Sequence, residues 1–455
     1  MAQHEACEQK AFAALVRIDP DRVAELRELL ASIGNDINDN PHVDFTRFGR
    51  IHFMRWVILD ASHDLEGNAL PPQLLLSTNY DAALADPDPL RTHLGELVGE
   101  ALDAVRRIYG ACEGFDSSWQ PGAIVAYLER HAVPYEAFYV GTVLRSVAQV
   151  RDEAALREDL EQYLDAHAAE LVDGKSAVAI RERLQAFVAG GPHAWALEQW
   201  PAEGIPLRLR QPRTFLFLLG GALVLAMLGV PAVVWWLLGG RYAAGLVLGV
   251  VIVALLLARV LRYRENTDPE HTTPPPPTGM RELVAREDRI VQNQMTSVTP
   301  MKPGKFRRFT VRGVFFVINT AARFWYTRGK LGEIPSIHFA RWILIDDDRR
   351  MLFLSNFDGS WENYLGDFID KASEGLTAVW SNTHMFPRSR WLVDGGAKNE
   401  QVFKAMVRDS QAPTEVWYSA YPRLTVENVN RNTAIRVGLS GPMTEKEASA
   451  WLQLL

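Results

Sequence analysis

Two stretches of the chain share one alternation and nearly the same letters: RIHFMRWVILD at 50–60 and SIHFARWILID at 336–346. Side chains of a strand alternate between faces. The second stretch therefore puts His338, Ala340, Trp342 and Leu344 on one side and Ile337, Phe339, Arg341 and Ile343 on the other. Around the first copy the pattern predicts a short apolar strand, ALVRI (14–18), and a helix in DPDRVAELRELLASIG opened by an Asp-Pro entry signal. IHFMRWVIL and QLLLSTN read as strands across the turn-like ASHDLEGNALPP. PLRTHLGELVGEALDAVRRIY has the spacing of an amphipathic helix, GAIVAYLERHA of a shorter one, and YEAFYVGTV of a last strand. Around the second copy QMTSVTP, KFRRFTVRGVFFVINTAARFWY, HFARWILI, MLFLSNF, WENYLGDFIDKASEGLTAVW, NEQVFKAMVRD and TEVWYSAYP follow in the same order.

The match extends to single residues. His52, Phe53, Arg55, Trp56 and Asp60 recur as His338, Phe339, Arg341, Trp342 and Asp346. Asn79-Tyr80-Asp81 recurs as Asn356-Phe357-Asp358, and Leu94-Gly95-Glu96 as Leu365-Gly366-Asp367. Pro134, Glu136, Phe138 and Tyr139 recur as Pro413, Glu415, Trp417 and Tyr418. Such ordered matches point to duplication of a whole domain. With the short helix set aside, each copy reads βαββαβ, the ferredoxin-like plan of an α+β fold. An antiparallel sheet with helices on one face needs cover on the other. Two such sheets in one chain can cover each other as an intrachain α+β barrel.

Between the copies lies TFLFLLGGALVLAMLGVPAVVWWLLGG, Thr214 to Gly240, without a charge, and after Arg241 a second uncharged run. Each is near the length a bilayer crossing needs. A continuous helix would bury Arg241 in lipid, so the pair predicts a transmembrane helical hairpin turning at GGRY. Pro231 is placed to kink the first span, and Trp235 and Trp236 to sit at an interface. Arg208, Arg210 and Arg213 precede the hairpin, Arg259, Arg262 and Arg264 follow it, and the turn holds only Arg241. The positive-inside rule then puts both soluble parts in the cytoplasm of an integral membrane protein. The expected organisation is repeat 1 at 1–150, a helical extension at 151–207, the hairpin at 208–264, a Pro-rich linker at 265–280 and repeat 2 at 281–455.

Composition narrows the function. Net charge is −7, against a nucleic-acid binder. Cys7 and Cys112 have no metal or disulfide spacing and fit a reducing compartment. The N-terminus lacks the pattern of a secretory signal. No HExxH, P-loop or GxGxxG occurs, GLSGP is not a nucleophile elbow, and GGAKNE (395–400) is a weak phosphate-approach signal.

Arg341 and Arg55 fall among large apolar neighbours and need partners. Asp358 and Asp81, at the end of the next strand, are the candidates. The arrangement is either an ion pair closing the hairpin, written twice with the domain, or an anion or peroxide site between the sheets. His52 and His338 share a face with Trp56 and Trp342, as partly buried structural histidines or as ligands. His384, in SNTHMFPRSRW, has no counterpart in the first copy and is the better candidate for a function specific to one half. The segment 305–330 is basic at both ends and lacks acidic residues. Its Arg307, Arg308 and Arg312, with Val314 and Phe315, either rest on an anionic leaflet or pack against the first copy.

This architecture resembles the dimeric α+β barrel superfamily, and the duplicated chain resembles the dye-decolorising haem peroxidases. Of that family's GxxDG motif, Ser355-Asn356-Phe357-Asp358-Gly359 keeps Asp358 and Gly359, with Ser in place of the first Gly. The resemblance implies a haem cofactor, with Asp358 and Arg341 on the distal side and His384 or His338 on the iron. The mid-chain hairpin and the missing haem-histidine motif depart from that family. The leading expectation is a membrane-tethered module that binds a hydrophobic or lipid-like small molecule, or a protein partner, between the repeats. The peroxidase-like oxidoreductase is the alternative. Homo-oligomerisation is compatible with either.

Overall fold

The computed structural model describes residues 7–172, 176–198, 212–269, 291–324 and 334–455. The first half contains β1 (Cys7–Arg17), α1 (Val23–Asn35), β2 (Ile51–Leu59), β3 (Gln73–Ala83), α2 (Pro89–Glu100), α3 (Leu102–Tyr109), α4 (Pro121–Arg130) and β4 (Tyr135–Val140). Helices α5 (Val147–Ala166) and α6 (Ala177–Ala189) follow. The apolar middle forms α7 (Pro212–Leu238) and α8 (Gly240–Thr267). The second half contains β5 (Gln292–Pro300), α9 (Lys305–Phe324), β6 (Ile337–Ile345), β7 (Arg350–Asp358), α10 (Trp361–Trp380), α11 (Glu400–Asp409), β8 (Val416–Ser419), α12 (Val426–Gly438) and α13 (Glu445–Leu452).

The fold is α+β with antiparallel sheets, and its main strands form two sheets of four. Their orders are β1-β3-β2-β8 and β4-β6-β7-β5. Each sheet is thus completed by the last strand of the other half. Near its start each exchanged strand still touches its own half: Ala132 bridges Ala14, and Gln411 bridges Ser297. The sheets are therefore joined at both edges.

The two halves agree in register. Phe53 faces Asn79 as Phe339 faces Asn356, and each ladder slips by one residue at the same place, between Ile51 and Phe53 and between Ile337 and Phe339. Gln9 faces Asp81 as Gln292 faces Asp358. Even the expected long helix breaks alike. Ala101 separates α2 from α3 at φ −125°, and Ala372 interrupts α10 at φ −138°.

All nine residues of β2 and of β6 are buried. One side of each strand meets helices and the other meets the opposite sheet. Ala13, Val57, Leu59 and Leu75 of one sheet pack with Ile343, Ile345, Leu352 and Leu354 of the other. Burying both faces stabilises the body and explains why these strands read as continuous apolar runs. The exchanged strands are clamped from outside. Gly34 of α1 lies so close to β8 that a Cβ there would stand 2.0 Å from the Glu415 carbonyl oxygen.

The hairpin reverses at one residue, Gly239, with φ 98°, rather than over the whole of GGRY. Glycine takes that left-handed backbone without a Cβ clash. Helices α7 and α8 pack on each other, and α8 is long and apolar enough to cross a membrane. It continues to Thr267, past the expected boundary at 264. Arg208, Arg210 and the four prolines of the linker lie outside the described residues. Helices α5, α6, α12 and α13 form a separate apolar cluster around Leu156, Leu184, Ile435 and Trp451. The helical extension therefore packs on the end of the second half.

Candidate functional site

The bulge in β2 and in β6 gives each strand one residue with no ladder partner, His52 and His338. Bulges re-aim side chains. His52 Nε2 lies 2.8 Å from Asp81 Oδ1, and His338 Nε2 lies 2.7 Å from Asp358 Oδ1. The other oxygen of each carboxylate accepts the first amide of a helix: Val147 N–H donates to Asp81 and Val426 N–H to Asp358, both at 2.7 Å. A carboxylate at a helix N-terminus satisfies an orphan donor and meets the positive end of the helix dipole. Gln9 donates to the Thr142 and Arg145 carbonyls, and Gln292 to those of Tyr421 and Leu424. Each Gln–His–Asp set thus pins the loop and helix that follow a half's last strand.

The sets differ at the second ring nitrogen of the histidine. His52 Nδ1 is 2.7 Å from the Tyr421 hydroxyl. Burial, then the charges of Asp81 and Asp358, pushes Tyr421 well above the usual phenol range, so it stays protonated. With neutral His52, Nε2–H donates to Asp81 and Nδ1 accepts from Tyr421. At the matching place of the other half stands Thr142. The buried His338 Nδ1 and Thr142 Oγ1 both lack a hydrogen-bond partner among the described residues.

The expected Arg–Asp pairs across the hairpins do not form, because both aspartates are engaged by histidines. Each arginine crosses to the opposite sheet instead. Arg55 donates to Gln294 Oε1, the Met295 carbonyl, Thr296 Oγ1, the Ser355 carbonyl and Asn356 Oδ1. Arg341 donates to the Thr78 carbonyl and Ser77 Oγ. Their acceptors are neutral oxygens. Burial, together with the charge of Arg341, pushes Arg55 down to about 9, and burial pushes Arg341 down to about 9. Both remain charged at neutral pH. They are cross-sheet ties, and a duplicated tie serves the fold.

The candidate haem set does not converge. Asp358 is bonded to His338, and Arg341 is committed to β3. The Nε2 of His338 faces a carboxylate, and its Nδ1 lies buried near Phe53 and Tyr421. His384 is at the far end of β5: its amide bonds the Pro300 carbonyl, whereas Asp358 pairs with Gln292. Eight strand residues separate these points, roughly 26 Å. These residues do not fit an axial ligand facing a distal Asp and Arg. Among the described residues no cluster of three His, Cys, Asp or Glu could hold a metal.

The junction of hairpin and body carries a second polar constellation. Glu265, buried near the end of α8, accepts the amides of Trp391 and Leu392 at 3.0 and 2.8 Å and pairs with Arg262. Trp391 and Leu392 have φ of 54° and 64°, so this loop is held in a strained turn against the helix. The Arg262 guanidinium lies 5.2 Å from the centre of the Trp391 ring. Asp268, just past α8, pairs with Arg307 and, at 3.4 Å, with Lys302. Burial and the charge of Arg307 push Lys302 down to about 8.

This corrects the expected membrane-surface residues. Arg307 and Phe315 are buried. Arg307 faces the hairpin base, and its Nε and Nη1 have no partner among the described residues. Val314 and Arg308 are half-buried. Arg312 is exposed but pairs with Asp348 at 3.0 Å and Glu136 at 3.9 Å. The neighbouring Phe316 is largely exposed. Sequence reasoning missed Gln9, Gln292, Tyr421, Glu265 and Asp268. The two glutamines carried a signal, since both lie in the first strand of their half at one register. A carboxylate next to a run of arginines carries none.

No known protein family matches this chain, no curated protein matches it, and no solved structure matches its fold.

Proposed function

We propose that this chain is an integral membrane protein in which α7 and α8 hold a binding module at the cytoplasmic face of a bilayer. The observation that carries this reading is the fixed junction. Buried Glu265 and the Asp268–Arg307–Lys302 cluster lock the hairpin to the body, where a mere tether would need no buried charge. Arg259, Arg262 and Arg264 at this base, against Arg241 at the turn, support the cytoplasmic placement. In the same reading the halves are ferredoxin-like repeats closed on each other as an intrachain α+β barrel. Shared registers and the bridges at both sheet edges support that closure.

The module works by binding, and its ligand is a lipid-like amphiphile. The packed aliphatic layer and the crossing arginines leave the space between the sheets poorly suited to a hydrophobic ligand. An open apolar cleft of about 690 Å³ lies between the hairpin helices instead, lined by Pro231, Ala232, Trp235, Ala243, Val247 and Leu248. Small residues and a proline keep those backbones from closing over it. Native mass spectrometry of the detergent-purified protein tests this. Retained lipid that is lost in Ala243→Trp is the expected result. Wild-type protein that carries no lipid, or a variant that keeps it, sinks the ligand assignment. Labelling of Tyr242→Cys tests the sidedness, since Cys7 and Cys112 are both buried. The label should enter only from outside the cytoplasm, and entry from inside reverses the topology.

A further inference from the structure

Helices α1 and α9 hold the same place in the two halves. Arg27 of α1 pairs with Glu415 of the exchanged strand β8, and Arg312 of α9 pairs with Glu136 of the exchanged strand β4. Aligned on these arginines, the inner faces also match: Leu26 and Leu30 are buried in α1, Val311 and Phe315 in α9. The outer faces do not match. Where α1 exposes Ala24, Ala31 and Ser32, α9 exposes Phe309, Phe316 and Val317. These three sit at i, i+7 and i+8, on one stripe of the helix. Phe309 is 70% and Phe316 73% exposed. Helix α1 is thus an internal standard for what water at this position requires, and α9 departs from it by two phenylalanines and a valine.

The departure lies beside the hairpin. Helix α9 packs on α7, and its buried Arg307 pairs with Asp268 at the foot of α8. The loop held by Glu265 exposes Trp391 and Val393 at the same foot. Lys305 is exposed at the start of the α9 stripe. Resting on the proposed membrane hairpin, we infer that the outer face of α9 and the Trp391 loop form an interfacial surface seated in the headgroup layer of the bilayer that the hairpin spans. Aromatic side chains favour that layer, and a helix with one apolar stripe lies in its plane. A row of exposed rings continuous with a membrane helix leaves water where the lipid begins. The body is then held at three places, the hairpin, α9 and the Trp391 loop, which fixes its tilt as well as its distance.

The test uses the full chain in phosphatidylcholine nanodiscs. Phe316→Cys, Ala31→Cys and Leu248→Cys are each labelled with an environment-sensitive fluorophore. Quenching by a shallow nitroxide lipid is compared with quenching by aqueous iodide. The probe at 316 should be quenched severalfold more by the nitroxide lipid, and the probe at 31 severalfold more by iodide. Iodide quenching at 316 equal to that at 31, with 248 quenched by lipid, overturns the interface and leaves the hairpin standing. Shielding of 316 from both quenchers means that protein covers the face, and this also overturns it. Iodide quenching at 248 removes the membrane hairpin, and the interface falls with it.

Discussion

The two halves keep the same buried arginine at the same register, yet surround it differently. Arg55 of the first half enters a cradle of Gln294, Thr296 and Asn356 in the second. The strand that would offer Arg341 the matching cradle presents Ala11 and Ala13 instead, since Ala11 faces Asn79 as Gln294 faces Asn356. Arg341 falls back on Ser77 of β3, whose own counterpart is the apolar Leu354. The histidines repeat the lesson: Tyr421 completes His52, and Thr142 leaves His338 open. What recurs is the group that joins the halves. What has drifted is the neighbour that satisfies it.

The sharpest way to break this comparison is to remove each arginine. Arg55→Ala takes a donor from five neutral oxygens, of which Asn356 Oδ1 keeps the Trp417 indole, and leaves a cavity; it should destabilise by on the order of 3–5 kcal/mol. Arg341→Ala strands two and should cost on the order of 2–3 kcal/mol. Thermal unfolding in detergent measures both, and equal losses would mean that the cradles do not differ in strength.

A second contrast is in pH. Burial raises the Glu415 carboxyl to about 7, against the amide of Ile58 and the charge of Arg27. Burial also raises Glu136, which is half-buried and sits beside Arg312. A carboxyl whose folded pKa is raised stabilises below the unfolded value, near 4.5, and loses that contribution as pH rises through the folded value. The Tm of Glu415→Gln minus that of the wild type should therefore rise between pH 4.5 and above 7. Glu136→Gln should give the same sign and a smaller rise. A difference that falls with pH contradicts the assignment.

The smallest contrast concerns the histidines. Tyr421→Phe leaves His52 Nδ1 as bare as His338 Nδ1 and should cost about 1–2 kcal/mol. Thr142→Val removes a hydroxyl that bonds nothing among the described residues and should cost nothing. A clear loss from Thr142→Val would show that a bound water or ligand completes the second set.

Much of the framework was legible along the chain. The doubled IHFxRW strand, the matched NYD and NFD ends and the helical spacings give the element order of both halves, because periodicity records which faces are buried. The two apolar helices were legible because each holds an uncharged run of helical length. The chemistry was read less well. Arg341 and Asp358 were paired on proximity along one hairpin, but the bulge at His338 turns the histidine onto the aspartate, and the arginine is left to cross to the other sheet. For Arg307 and Phe315 the letters leave a leaflet face and a packed face equally open, because a basic aromatic segment looks the same from either side. Which stripe faced in depended on the strand delivered by the other half.

The α+β element order and the apolar helices can be read from the chain alone, since each is a local pattern of burial. Three features emerge only once the chain is folded: each sheet ends in the other half's strand, Arg55 and Arg341 tie sheet to sheet, and α9 turns Phe309 and Phe316 outward beside the hairpin. The exchanged strands and the arginine contacts join residues about two hundred positions apart or more. They are set by register and by which surface the opposite half covers, and neither is written in any one stretch of chain.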